Sequence, residues 1–327
     1  MEKNNIKILW LATDRSDRVA NIFGPLQEEV SKLADVDFIY RKLDCNPKMW
    51  QSIYTKGKKI PPRLVNPKFA NEFDFIMVDA PFAFLDENWS KIKTKRGVLI
   101  EDQHGDVLDY SKRYMAEGFD IFFTRYNNIL NRHPWLSGQN IKWLPHSFDK
   151  KIYKDYKNVK KHDCLMVGRI YDAWGSKKVY PLRWEIHKQM SRSNLPYYRV
   201  ERPEEHTSTY LRWPVRNEYA NLINCSKISF TCMSIFKYPV MKFFEIPACN
   251  SALFADYSSE LRDLGFEPNE CMVSLNGVDN IPELVKNWLE SPKELSNLSE
   301  NGYELVHQQH TAEKRAEQFI DYLRMET

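Results

Sequence analysis

Short apolar runs, many of them β-branched or aromatic, alternate with stretches of helical spacing along most of the chain. Residues 6–12 read as a strand that ends in a polar turn over 13–17. Between 18 and 33 the apolar positions are Val19, Ile22, Phe23, Leu26, Val30 and Leu33. They lie mostly three and four apart, the spacing of one helix face, and 36–43 returns as a strand. Strands are expected over 73–78, 97–100, 119–124 and 141–144, whereas the basic, proline-containing segment 46–71 yields no clear element.

After Ser147 the pattern pauses. Residues 149–162 are lysine-rich with few aliphatic side chains and read as an interdomain linker. A second series then begins with strands at 164–167 and 197–200 and helices at 181–191 and 217–223. It continues through strands at 228–232, 251–255 and 271–274, and helices at 281–290, 292–307 and 311–325. Short apolar strands alternating with helices argue for parallel sheets covered on both faces. The expected fold class is α/β, with two Rossmann-like doubly wound domains and a cleft between them. The expected division is 1–148 for the first domain, 149–162 for the linker and 163–310 for the second domain. A final helix over 311–327 would cross back to the first domain. Ligands of such sheets bind outside the carboxyl ends of the strands.

Composition narrows the picture. A chain of 327 residues has room for one large or two medium domains, and its net charge of +3 is too small to make nucleic acid an obligatory partner. The six cysteines show no C-x-x-C and several lie in apolar runs, which suits reduced thiols in a cytoplasmic protein. The N-terminal apolar run is too short for a signal peptide, and no run approaches the roughly 18 apolar residues of a membrane span. No metal-ligand cluster is visible. The turn after the first strand, LATDRSDR, lacks the G-x-G-x-x-G of a dinucleotide site, and there is no G-x-x-x-x-G-K-[ST], G-x-S-x-G or H-E-x-x-H.

The chemistry gathers in residues 228–256, ISFTCMSIFKYPVMKFFEIPACNSALFAD. A strand is followed by a loop, then a short helix with Pro239 at its first position and a run from Val240 to Ile246. Asn250 takes the left-handed turn that ends it. Lys242 and Glu245 are three apart and share a face near the helix start. The amides of Val240 and Met241, the partial positive charge of a helix N-terminus and the lysine suit a phosphate. A carboxylate one turn deeper suits the two hydroxyls of a ribose. An ordinary surface ion pair is the alternative.

Other candidates sit at expected strand ends. VGRI puts Gly168 and Arg169 after the second domain's first strand, and Arg183 opens the helix that follows. Glycine permits close approach of a ligand and arginine suits a phosphate, and Lys177 and Lys178 lie between them. The loop EDQHGD gathers Glu101, Asp102, His104 and Asp106, where His104 is suited to a substrate hydroxyl or proton transfer, or the loop is simply solvated. Asp14 and Asp17 are either acceptor-side groups or caps of the helix that follows. RVERPEEH, from Arg199 to His206, can border a base or be a surface loop.

With these pieces in order, the chain resembles the GT-B glycosyltransferases, specifically the CgeB/YkvP-like group among the glycosyl transferases group 1. KYPVMKFFEIPACNSALFAD resembles the family's R-x-F-E-x-x-A-x-G-x-x-L-x-x-D run. WLPHSFDKKIY resembles its L-P-x-G-x-D-x-x-x-F junction, and VGRI its V-G-R strand end. The resemblance implies a metal-independent enzyme of the hexosyltransferase type without cofactor. Its donor would be a nucleotide-diphosphate sugar, a UDP-sugar first, and its acceptor a glycan, protein or small molecule. By position, Glu245 would bind the ribose. Lys242, the Val240 and Met241 amides, Gly168, and Arg169 or Arg183 would hold the diphosphate, with Tyr238 beside them and His104 meeting the sugar. Where retaining relatives carry a sugar-contacting glutamate, this chain has Lys237, and where they carry a glycine it has Asn250. A retaining enzyme would rely on Lys242 and arginine to stabilise the leaving group; an inverting one would need a base such as His104 or a first-domain carboxylate. The alternatives are a sugar transferase acting on modified DNA, for which Lys56–Lys59 and Lys150–Lys161 supply charge, and a non-catalytic nucleotide-sugar-binding protein.

Overall fold

A computed structural model of the chain describes residues 6–14, 24–42, 67–79, 89–100, 118–170, 179–200 and 216–326. The chain divides into two compact units, one comprising 1–145 and 312–327 and the other 146–311.

In the first unit the described strands are β1 (Lys7–Asp14), β2 (Asp35–Lys42), β3 (Phe75–Asp79), β4 (Lys95–Ile100), β5 (Ile121–Thr124) and β6 (Ile141–Trp143). They form one parallel sheet in the order β2-β1-β3-β4-β5-β6. The described helices are α1 (Gly24–Leu33), the single turns α2 (Pro67–Ala70) and α3 (Ile129–Arg132), and the last helix of the chain, Ala312–Glu326. Successive strand residues feed opposite faces. Ile8, Trp10, Phe75, Met77 and Phe123 pack with Leu26 and Val30 of α1 and with Phe319 and Leu323 of the last helix. Leu9, Leu11, Ile76, Val78 and Phe122 form the core of the other face. Both faces are covered, so these strands read as continuous apolar runs rather than alternating ones. Gly97 in β4 is required by packing, because a methyl there would lie 2.6 Å from the ring of Phe75 and 2.8 Å from that of Phe123.

Near the start of the second unit lies 149–162, the segment expected as a linker. Its backbone is fastened within that unit. Asp155 accepts from Asn224 at 2.9 Å and Asn250 at 3.0 Å, and the Lys161 amide donates to the Cys225 carbonyl at 2.7 Å. Burial pushes the Asp155 carboxyl up, but hydrogen bonds from Lys157, Asn250 and Asn224 outweigh it and hold the group well below the usual carboxylate range. The unit then runs through β7 (His162–Val167), α4 (Pro181–Met190), β8 (Tyr197–Val200), α5 (Asn217–Asn224), β9 (Ser226–Phe230) and α6 (Lys242–Ala248). It finishes with β10 (Ala252–Ala255), α7 (Ser259–Asp263), β11 (Val273–Ser274), α8 (Ile281–Leu289) and α9 (Pro292–Gln309). The last helix, α10, is the one assigned above to the first unit. The second sheet is also parallel, in the order β11-β10-β9-β7-β8. Two doubly wound parallel sheets are therefore present, as the alternation of elements predicts. Among the described residues no helix is long and apolar enough to cross a membrane, and the five described cysteines are free thiols.

Candidate functional site

In a doubly wound sheet the ligand crevice opens where the strand order reverses, outside the carboxyl ends of two neighbouring strands. In the second unit that reversal falls between β7 and β9. Gly168 directly follows β7 and Thr231 directly follows β9, so the residues after these two strands frame the mouth.

Gly168 has φ +119°, in the region that favours glycine, and a methyl there would sit 3.5 Å from Arg183 Nη1 and 3.5 Å from Lys242 Cε. Two cations thus converge on a point where the backbone is bare. Arg183 stands in the first turn of α4, behind Pro181. Its guanidinium donates to the Arg169 carbonyl at 3.2 Å and to Thr231 Oγ1 at 3.4 Å, spanning the ends of β7 and β9. It also lies 4.3 Å from the ring centroid of Tyr180, a cation–π contact. Arg183 is buried, and Arg169 beside it is half-buried.

Lys242 and Glu245 come from α6, whose start differs from the sequence expectation. The helix begins at Lys242 with Met241 as its cap, and the Glu245 amide donates to the Met241 carbonyl at 3.0 Å. Pro239 therefore lies outside the helix rather than at its first position. Its locked φ and missing N–H fall in the loop before the helix instead. Val240 and Met241 remain at the helix mouth, where amides lack intrahelical acceptors. Asn250 closes the C-terminal end with φ +52°, as expected for a left-handed turn residue.

Lys242 places its ammonium 5.2 Å from the ring centroid of Tyr219. Glu245, one turn on, is only 5% exposed. Burial pushes its carboxyl above the usual range, opposed by the charge of Lys242 and by hydrogen bonds from the hydroxyls of Tyr153 and Tyr219. Both tyrosine hydroxyls are pushed well above their ordinary value, first by burial and then by the Glu245 charge, so both stay protonated and can donate. Their rings meet edge to face at 6.1 Å.

The structure thus brings Gly168, Arg169, Arg183, Lys242 and Glu245 together within one unit. Lys237 stands apart in a turn with φ +60°, its side chain 65% exposed and its Nζ 3.7 Å from Asp256 Oδ2. Tyr238 is fully buried with its ring stacked on Phe236, so its side chain belongs to the core beside the site. Asp14 ends β1, opposite Lys42 in the strand register. Asp17, Glu101, Asp102, His104 and Asp106 lie outside the described residues, as do Lys177, Lys178 and 201–206.

Four contributors escaped the sequence reading. Thr231 and the two tyrosines are distant from α6 in the chain or of unremarkable type. Asp256, at the end of β10, accepts from the Met233 amide at 2.8 Å and pins the loop that leads into α6. The D that closes the L-x-x-D pattern was its only signal.

Comparison with known proteins bears on the fold. Residues 166–321 match a family described as glycosyl transferase-like. A glycosyltransferase from Rickettsia africae has a similar structure, with 11% identity, 98% of each chain covered and a TM-score of 0.65. HepE from Anabaena, solved with UDP and glucose, is 11% identical over 98% of this chain and 100% of its own, with a TM-score of 0.61. Sucrose-phosphate synthase from Thermosynechococcus elongatus is 13% identical over 98% of this chain and 99% of its own, with a TM-score of 0.60. At such identities the likeness establishes the fold, that of the GT-B glycosyltransferases. No curated protein matches the chain.

Proposed function

We propose that this chain is a glycosyltransferase of the CgeB/YkvP-like group, moving a sugar from a nucleotide-diphosphate donor to an acceptor. The donor we assign is a UDP-sugar, in keeping with the UDP bound by HepE of Anabaena and by MnaA of S. aureus. The acceptor class is a glycan, protein or small molecule, the enzyme hexosyltransferase in type, and its setting cytoplasmic.

One observation carries this reading: two cations flank a left-handed glycine at the reversal point of a parallel sheet, with a buried carboxylate one helical turn behind. A diphosphate against Gly168 meets Lys242, Arg169, Arg183 and the amides of Val240 and Met241. The ribose then reaches Glu245, whose carboxylate accepts from its hydroxyls. As the anomeric carbon loses its bond to the β-phosphate oxygen and gains one to the acceptor oxygen, negative charge accumulates on the departing diphosphate, whose freed oxygen takes the proton the acceptor hydroxyl gives up. Fixed cations stabilise that charge without reorganisation, the kind of electrostatic help that needs neither metal nor protein nucleophile. Transfer with retention fits this arrangement.

Titration of UDP into wild type and Glu245→Ala tests the assignment. Losing hydrogen bonds to a charged group costs about 3 kcal/mol, so affinity should fall about a hundredfold while the fold persists. Wild-type affinity in the variant would falsify the site. Release of sugar from UDP-glucose, alone or with acceptor sugars, separates an enzyme from a non-catalytic binder.

A further inference from the structure

We infer that Tyr153 and Tyr219 are positioning residues for the donor site, holding the Glu245 carboxylate so that its remaining acceptor positions face the ribose. This rests on the assignment of Glu245 to ribose binding and adds what makes that carboxylate competent. Neither tyrosine touches reacting atoms.

An ionised carboxylate offers about four acceptor positions on its two oxygens. Two hydroxyl donors from tyrosine occupy half of them, and a vicinal diol needs the other half. An unsupported carboxylate on a seven-residue helix would rotate about its last torsion, a broad and weakly restrained one, and present no fixed pair of lone pairs. Donors from two different elements remove that freedom. Tyr219 stands on α5 and Tyr153 on the segment that opens the second unit, so the clamp closes from two sides. The clamp is itself rigid, since the two rings meet edge to face at 6.1 Å and Tyr219 is only 8% exposed.

Tyr219 has a second task. Its ring face lies under the Lys242 ammonium at 5.2 Å, and the same lysine reaches the bare backbone of Gly168. One side chain thereby couples the group proposed for the ribose with the cation proposed for the diphosphate. Burial alone drives Glu245 toward its neutral acid, which would cost it one acceptor position. The two hydroxyls and Lys242 act against that.

The test uses the full chain and two probes, UDP and 2′-deoxy-UDP, titrated into wild type, Tyr153→Phe, Tyr219→Phe and Glu245→Ala. A hydrogen bond to a charged group is worth roughly tenfold or more in affinity, so wild type should prefer UDP by at least that factor. Glu245→Ala should erase the preference. Each phenylalanine variant should compress it about threefold or more, because a mobile or neutral carboxyl no longer rewards the 2′-hydroxyl. A modest fall in melting temperature, from the hydrogen bond lost to a buried carboxyl, would accompany that result. A variant that binds both probes more weakly but keeps the wild-type ratio has merely loosened the fold, and that outcome overturns the inference. So does an unchanged ratio in both phenylalanine variants while Glu245→Ala abolishes it, which leaves the donor site standing. If wild type does not bind UDP, or Glu245→Ala keeps the ratio, the underlying assignment fails first.

Discussion

At Glu245 the needs of a packed interior and of a ligand site oppose each other. A carboxylate that is 5% exposed loses hydration, and its pKa rises because burial outweighs Lys242 and the hydroxyls of Tyr153 and Tyr219. The consequence for stability has a definite sign. An acid whose folded pKa lies above its unfolded value binds a proton more readily in the folded state. Wild type therefore gains stability as pH falls from neutrality through that raised value, down to the ordinary glutamate value of about 4.3, and loses it as pH rises. Glu245→Gln imitates the neutral acid at every pH. It should melt above wild type near neutral pH, and the advantage should shrink as acid is added, while UDP binding is lost. A constant difference across the titration would contradict the buried charge. Lys242 and Glu245 were legible in the sequence because their spacing puts both on one face of a short helix. Tyr153 and Tyr219 were not, because no local pattern links them to a glutamate on a later helix, and tyrosine in a lysine-rich run resembles any amphipathic surface residue.

Elements were easier to read than their edges. Continuous apolar runs gave the strands, since sheets covered on both faces leave no polar alternation to confuse with helix. The start of α6 was misplaced because Pro239 has the chemistry of a first helical residue but serves here as a loop end, with the helix opening at Lys242. The segment 149–162 resembled a linker because it is poor in aliphatic side chains. It holds its place through Asp155, Asn224 and Asn250 instead, polar partners that composition does not announce. The seat of α6 depends on α9. A methyl at Gly302 of α9 would lie 2.8 Å from the Cys271 carbonyl oxygen and 3.2 Å from Pro247 Cβ of α6. Backbone cannot give way as a side-chain tip can. Gly302→Ala gains about 1 kcal/mol in helix propensity and loses about 1–3 kcal/mol to overpacking, so the net effect is destabilising or at best neutral. Because the displaced helix carries Lys242 and Glu245, UDP affinity should fall along with the melting temperature. A variant more stable than wild type with unchanged affinity would show that α9 does not fix the position of α6.

On the scale of the whole chain, two parallel sheets are built from one run of alternating elements, and the sequence crosses between the units twice, at 145–146 and at 311–312. The second crossing returns α10 to the first unit, where its side chains complete one face of that sheet. Phe319 is fully buried, with its ring 5.5 Å from Trp10 and 5.1 Å from Phe123. Gln318 Nε2 and the Tyr322 hydroxyl both donate to the Trp143 carbonyl at 3.0 Å, and Glu326 pairs with Lys142 at 2.9 Å. The polar contacts fix register, but the surface pairs contribute little beside the aromatic core. Phe319→Ala removes a ring from a packed cluster, and such truncations cost about 3–5 kcal/mol. That loss falls on the unit whose strands the ring touches. Hydrogen exchange should show amides of β1, β3 and β5 opening faster in the variant, while those of β7, β9 and β10 keep wild-type protection. UDP binding, assigned wholly to the second unit, should then survive at temperatures where the first has begun to open. Equal acceleration in both sheets would mean that the chain unfolds as one cooperative body and that α10 contributes to both cores.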